Sequence, residues 1–167
     1  MIELKKYYNN LYFMSLLFNS NLLKIYDIIE IVNILTNKGD DNEFLINILL
    51  DKNNTENVYD NFNKYLNLKK LIINDRKKLI EKIILFIFNE ILINKINLMD
   101  GIEFIINDFL EQGKSEKYFG DYLNISDIIS VYYTIDDGDI TNKKELQKAT
   151  NILFDLIKEY IKKYGNK

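Results

Sequence analysis

The sequence predicts an all-α protein, a single domain over residues 1–167 built as a helical bundle or a short helix-pair stack of six to eight helices. Three observations predict this fold class. Apolar residues recur at intervals of three and four almost throughout, whereas the period-two alternation of a half-buried strand is scarce. Pro is absent, which suits helices joined by short polar segments. Hydrophobic residues make up 47% and charged residues 28% of 167 residues, a balance that favours a folded core without disulfides or metals.

Polar caps and glycines divide the first half of the chain into four predicted helices. A start is indicated where Asn, Asp or Ser precedes an apolar repeat, and an end where Gly follows it. By these signals the helices cover residues 3–18, residues 22–37 before Gly39, the residues after a cap at Asp40 or Asp41 up to Leu50, and a segment that starts at the capping-box pair Asn53 and Glu56.

The second half opens with the longest apolar repeat, residues 75–94. This segment is apolar on nearly all sides, which is typical of a buried central helix. Asp100 and Glu103 have capping-box spacing and predict the start of a helix that Gly113 ends.

The last third contains the least regular pattern. Ser115 predicts a short helix up to Leu123. Residues 125–135 fit either a helix or, because of the β-branched and aromatic run ISVYYTI, a strand. Asn142 then predicts the start of a long final helix, which Gly165 ends.

Two residue types that enzymes use most are missing. Without Cys the chain has no thiolate nucleophile, disulfide or zinc–thiolate site, and without His it has no imidazole base or ligand. No Gly-rich phosphate loop and no Ser or Thr beside a plausible base is visible. We therefore predict that the chain is not an enzyme and takes no cofactor.

Two carboxylate pairs, Asp100/Glu103 and Asp108/Glu111, each share a helix face and could in principle bind a hard metal or divide acid and base roles. The simpler interpretation is a helix cap for the first pair and a solvated face for the second. The run from Asp136 to Asp139 does not form a calcium loop, because placing its Gly at the sixth position puts Tyr133 at the first. The sequence thus predicts no metal site.

No targeting or membrane segment is predicted. Lysines and asparagines interrupt the first 18 residues, and the most apolar run, residues 83–93, is shorter than the roughly 20 residues that a membrane span needs. We expect a cytoplasmic protein without membrane contact.

Acidic residues are concentrated in one part of the chain. Between Asp100 and Asp139 there are ten carboxylates and two lysines, a net charge of −8, although the whole chain has only −3. Tyrosines are interleaved with these carboxylates, and tyrosine is enriched in protein interfaces. This composition predicts a surface for a basic protein partner, although a solvated face with core tyrosines would give the same pattern. The predicted contact residues are Glu111, Glu116, Tyr118, Asp121, Tyr122, Asp127, Tyr132, Asp136, Asp137 and Asp139.

Basic residues cluster at Lys69-Lys70, Arg76-Lys77-Lys78 and Lys162-Lys163. A nucleic-acid-binding protein would be expected to have a basic overall balance, which this chain lacks. We predict no direct nucleic-acid contact and regard residues 66–82 as the alternative partner surface.

Three stretches carry a resemblance to a known class of protein: LLKIYDIIEIVNIL with the following Gly-Asp turn (22–40), INLMDGIEFIINDFLEQGKSEKYFGDYL (96–123), and the final helix ending in EYIKKY. The chain resembles the small, acidic, mostly helical immunity proteins of bacterial toxin–immunity systems, in particular an uncharacterised family often encoded near such toxins. The resemblance implies a protein that neutralises a cognate toxin, for example a basic nuclease domain, by direct binding. A small helical adaptor or a phage-encoded inhibitor of a defence system is the alternative.

Overall fold

The computed structural model describes residues 2–110, 123–138, 140 and 142–165, and these residues form helices and connecting segments without any strand. The predicted all-α class with six to eight helices is therefore confirmed, and the segment predicted over residues 125–135 as a helix or a strand is a helix, Ser126–Asp136. A 3-10 helix, Leu4–Tyr7, comes first, and a π-helical turn, Ile106–Leu110, continues the sixth α-helix. The described α-helices are α1 (Leu11–Asn19), α2 (Ile25–Asn37), α3 (Glu43–Leu50), α4 (Thr55–Leu68), α5 (Arg76–Leu92), α6 (Leu98–Ile105), α7 (Ser126–Asp136) and α8 (Lys143–Tyr164).

The internal contacts group the chain into two compact units, and the division falls inside α5. The first unit is Glu3–Leu79 and holds α1 to α4, whereas the second holds Ile80 to the C-terminus together with residues 1 and 2. That all of these residues form one domain stays a prediction.

The first unit encloses an aromatic and aliphatic core. Helices α2, α3 and α4 pack on one another, and Phe18 of α1 meets Phe62 of α4 edge to face at 5.1 Å between ring centroids. Burying each large side chain stabilises the fold by about 1.5–3 kcal/mol. The largest fully buried side chains here are Tyr65, Phe13, Phe62, Met14, Leu16, Leu17, Ile28, Ile31, Leu45, Ile48 and Leu66.

The single helix predicted over residues 3–18 is wrong. The side chain of Asn10 accepts a hydrogen bond of 3.0 Å from the Phe13 N–H, so α1 starts afresh after a turn at residues 8–10. An Asn side chain satisfies an N–H that a helix start leaves without a partner. The predicted end of α2 is confirmed, because Gly39 has φ +92° and lets the Asp40 N–H reach the Leu35 carbonyl at 3.1 Å.

Three predicted caps are displaced by one to three residues. In each case an Asn nearer to the apolar repeat accepts from first-turn N–H groups: Asn42 in place of Asp40 or Asp41, Asn54 in place of Asn53, and Asn97 in place of Asp100. The cap predicted at Asn142 is confirmed, since its side chain accepts from the Lys144 N–H at 2.9 Å.

Helix α5 is buried along one side and is half-buried or exposed elsewhere. Its buried side chains are Leu79, Ile80, Ile83, Ile84, Ile87, Phe88 and Ile91. In the second unit its Ile87 and Ile91 lie so close to Gly101 of α6 that a Cβ there would sit 3.1 Å and 2.6 Å from their side-chain carbons. Phe88 of α5 also packs edge to face on Tyr160 of α8 at 5.3 Å. Within the second unit, α7 packs against both α6 and α8.

Candidate functional site

Helix α7 separates a buried side from an exposed acidic side. Ile128, Ile129 and Tyr132 are buried at the spacing of one helix face. The opposite side is exposed and carries carboxylates near both ends and an aromatic ring between them. We call this side the acidic face and define it as Asp127, Ser130, Tyr133, Thr134 and Asp137.

No lysine or arginine offsets the charge on this segment. Residues 123–138 contain Asp127, Asp136 and Asp137 and no basic residue, a net charge of −3. All three carboxylates are exposed. The segment's own charge is therefore negative, which favours approach by a basic surface.

The two adjacent tyrosines of α7 have opposite environments. Tyr132 is 6% exposed, whereas Tyr133 is 41% exposed and packs edge to face on Tyr132 at 5.4 Å. Burial, followed by the charges of Asp136 and of Glu103 on α6, raises the pKa of Tyr132 to about 12. The Tyr132 hydroxyl thus stays protonated at neutral pH, and Tyr133 presents more of its ring to solvent.

The predicted contact residues are placed only in part. Asp127, Asp136 and Asp137 lie exposed on or beside the acidic face, and Tyr132 lies beneath it. Sequence reasoning left Tyr133 out of the contact residues, although the buried spacing of Ile125, Ile128, Ile129 and Tyr132 could have indicated its exposure. Outside the described residues lie Glu111, Glu116, Tyr118, Asp121, Tyr122 and Asp139.

A small cleft of about 170 Å³ lies between α7 and α8 and shares Asp127 with the acidic face. On its α8 side, the Lys163 ammonium lies 5.1 Å from the centroid of the Tyr164 ring. The cleft is lined chiefly by Asp127 and Ile128 on one side and by Leu156, Glu159, Tyr160 and Lys163 on the other. Sequence reasoning missed the α8 residues, because their spacing indicates only a helix face and not the helix opposite.

A larger and more open groove, about 640 Å³, lies in the first unit between α1 and α4. Phe18 and Tyr59 stack in it with ring centroids 6.1 Å apart. Its polar groups largely serve the fold, since the Tyr59 hydroxyl donates to the Leu23 carbonyl at 3.0 Å and Asp60 pairs with Lys64 at 2.6 Å. This groove therefore offers a partner few polar groups that are not already bonded.

The alternative basic surface is partly neutralised. Lys69 forms an ion pair of 3.3 Å with Asp40 and lies 5.2 Å from the Tyr65 ring centroid. Lys70, Arg76 and Lys78 are exposed. The segment therefore remains basic.

Two kinds of feature are absent from the part of the chain that the structure describes, a cluster of metal ligands and a helix that could span a membrane. No three Cys, His, Asp or Glu side chains come together there as metal ligands would. Nor does any helix of that part have the length and apolar character needed to cross a membrane. Asp100 and Glu103 lie on α6, half-buried and exposed respectively, and Glu111 lies outside the described residues.

The chain was compared with protein families, curated proteins and solved structures. None of them matches it.

Proposed function

We propose that this chain is a non-catalytic protein-binding inhibitor, an immunity protein that neutralises a cognate bacterial toxin by direct binding. The observation that carries the proposal is the acidic face of α7, with exposed carboxylates, the exposed ring of Tyr133 and no basic residue within residues 123–138. Resemblance to small acidic immunity proteins supports the same conclusion.

Physical chemistry explains why this surface suits such a task. Complementary charge speeds the encounter of two proteins and suppresses wrong partners. An exposed tyrosine adds contact area and a hydroxyl while losing little conformational entropy. A toxin domain with a basic substrate groove, such as a nuclease, is the class of partner that this surface fits, and covering the groove would exclude the substrate.

Neutralising the acidic face tests the proposal. In the triple variant Asp127→Asn, Asp136→Asn, Asp137→Asn, we expect the fold to persist, because exposed side chains usually contribute little to stability. The association rate with the protein encoded beside this chain should fall about tenfold at low salt and lose most of its salt dependence. Stopped-flow binding at two salt concentrations measures both effects.

A matched control separates local from overall charge. The variant Asp41→Asn, Asp51→Asn, Glu56→Gln removes three exposed carboxylates that belong to the first unit and not to α7, and it should change the rate far less. If both triple variants slow association equally, or neither does, the acidic face is not the binding surface. Residues 66–82 would then be tested next.

A further inference from the structure

We infer that the cleft between α7 and α8 receives an arginine side chain of the protein partner. The inference deepens the proposed function, and it rests on it for the claim that the arginine belongs to a protein. The cleft adjoins the acidic face because Asp127 belongs to both.

The size of the cleft matches a single side chain. Sites for drug-sized ligands have volumes of roughly 300–1,000 Å³, whereas this cleft measures about 170 Å³. The lining of the cleft is partly apolar and partly charged. Ile128 and Leu156 provide apolar walls, and Asp127 and Glu159 provide carboxylates. An occupant with an aliphatic stem and a cationic end suits both features.

The charges favour a cation, and the rings favour a guanidinium over an ammonium. Two exposed carboxylates, those of Asp127 and Glu159, line the cleft together with one ammonium, that of Lys163. A guanidinium offers a planar fork to carboxylates and stacks on tyrosine rings, which a compact ammonium does less well. The Lys163 ammonium already lies over the Tyr164 ring, so a tyrosine ring beside the cleft already contacts a cation of this protein.

Tyr160 supplies an independent observation. It forms a wall of the cleft, is 4% exposed, and its hydroxyl has no hydrogen-bond partner in the part of the chain that the structure describes. Buried polar atoms normally have partners, and one without a partner costs free energy. The hydroxyl itself is enclosed, so a guanidinium would reach it only with the Tyr160 ring turned toward the cleft, and its five N–H donors would then supply the missing partner.

The test uses the whole chain and N-acetyl-arginine amide as the probe, with the citrulline analogue as its uncharged counterpart. Amide chemical shifts are followed by NMR during titration. We expect saturable shifts confined to residues 124–128 and 156–164, with a dissociation constant on the order of millimolar because one side chain binds alone. The citrulline analogue should give no saturable shift.

Three variants should change arginine binding in opposite directions. Asp127→Asn and Glu159→Gln should each weaken it about two- to fivefold, whereas Lys163→Gln should strengthen it about twofold by removing a competing charge. Asp155→Asn is the matched control, because it removes an exposed carboxylate of the same helix that does not line the cleft. Its affinity for arginine should equal that of the unmodified chain.

The outcomes distinguish this inference from the proposed function. Equal shifts with arginine and citrulline, or equal weakening by Asp127→Asn and Asp155→Asn, overturn the arginine site even if the neighbouring-encoded protein binds the acidic face. The predicted pattern of arginine binding, combined with no binding of that protein, supports the cleft and overturns the proposed function.

Discussion

At the scale of single residues, two buried tyrosines of the first unit each donate a hydrogen bond to an aspartate. The Tyr65 hydroxyl bonds to Asp40 at 2.6 Å, and the Tyr8 hydroxyl bonds to the buried Asp27. Asp27 also accepts from the Lys24 N–H at 2.8 Å and so stabilises the start of α2. These aspartates explain why part of the acidic content of the chain is structural and is unavailable to a partner.

The Tyr65–Asp40 pair allows a prediction because its two members are unequally buried. Tyr65 is fully buried, whereas Asp40 is half-buried and also bonded to Lys69. The hydrogen bond from Tyr65, and then Lys69, lowers the pKa of Asp40, so its carboxylate is charged at neutral pH. Asp40→Ala leaves a buried hydroxyl without an acceptor and should lower the free energy of unfolding by about 1–3 kcal/mol.

Its counterpart is Tyr65→Phe, which leaves a carboxylate that water and Lys69 still reach, and which should cost less than Asp40→Ala. Asp40→Asn keeps an acceptor for the hydroxyl and should also cost less than the alanine variant. Urea unfolding of the three variants at neutral pH gives the ranking. A larger loss for Tyr65→Phe than for Asp40→Ala would show that ring packing, and not the hydroxyl, dominates the pair.

At the scale of helices, the close approach of α5 and α6 depends on Gly101. Ile87 and Ile91 are buried and leave no room for a branched side chain at this position. Gly101→Ala gains up to about 1 kcal/mol in helix propensity, which offsets part of the crowding. Gly101→Val adds more bulk and should lower the free energy of unfolding by about 1–3 kcal/mol, as overpacked cores do.

The same substitution at an exposed position of α6, Glu103→Val, controls for the β-branched residue and should change stability by no more than about 0.5 kcal/mol. Thermal unfolding followed by circular dichroism measures both variants. If Gly101→Val has the same melting temperature as the unmodified chain, α5 and α6 can move apart to accommodate the side chain. The contact between them is then less tight than the distances indicate.

Helices could be predicted better than the residues that start them. Apolar periodicity is a local property, so α2, α4, α5 and α8 follow from the sequence. The residue that caps a helix is the one whose side chain reaches a first-turn N–H. Where two like residues are adjacent, as at Asn53-Asn54, the sequence does not show which of them does so. The cleft could not be predicted, since Glu159 meets Asp127 only through the packing of α8 on α7.

At the scale of the whole chain, charge is unevenly divided between the two units. Residues 3–79 have a net charge of +1 and residues 80–167 have −4. The acidic face and the cleft both belong to the second unit. The sequence could predict this asymmetry of charge, because the charge of a segment follows from its composition. It could not show which tyrosines a partner can contact, because that depends on which tyrosines the fold buries.

The buried tyrosines also predict how stability depends on pH. Burial is the largest cause that raises the pKa of Tyr8, Tyr65, Tyr132 and Tyr160 above the ordinary value of 10, to about 12 for Tyr132. Above pH 10 the unfolded chain therefore binds fewer protons at these positions than the folded chain does. Because stability falls with pH wherever the unfolded state binds fewer protons, the free energy of unfolding should fall as pH rises above about 10.

Two readouts on one sample test this prediction. The buried tyrosines should ionise only as the helices melt, above the pH at which a solvent-exposed tyrosine ordinarily ionises. Absorbance at 295 nm follows tyrosinate, and circular dichroism follows the helices. Lysines also titrate near this pH, so the control is the double variant Tyr132→Phe, Tyr160→Phe, which retains every lysine and should lose less stability between pH 9 and pH 11. Ionisation of all 12 tyrosines of the sequence near pH 10, with helicity unchanged, would contradict the burial of these rings.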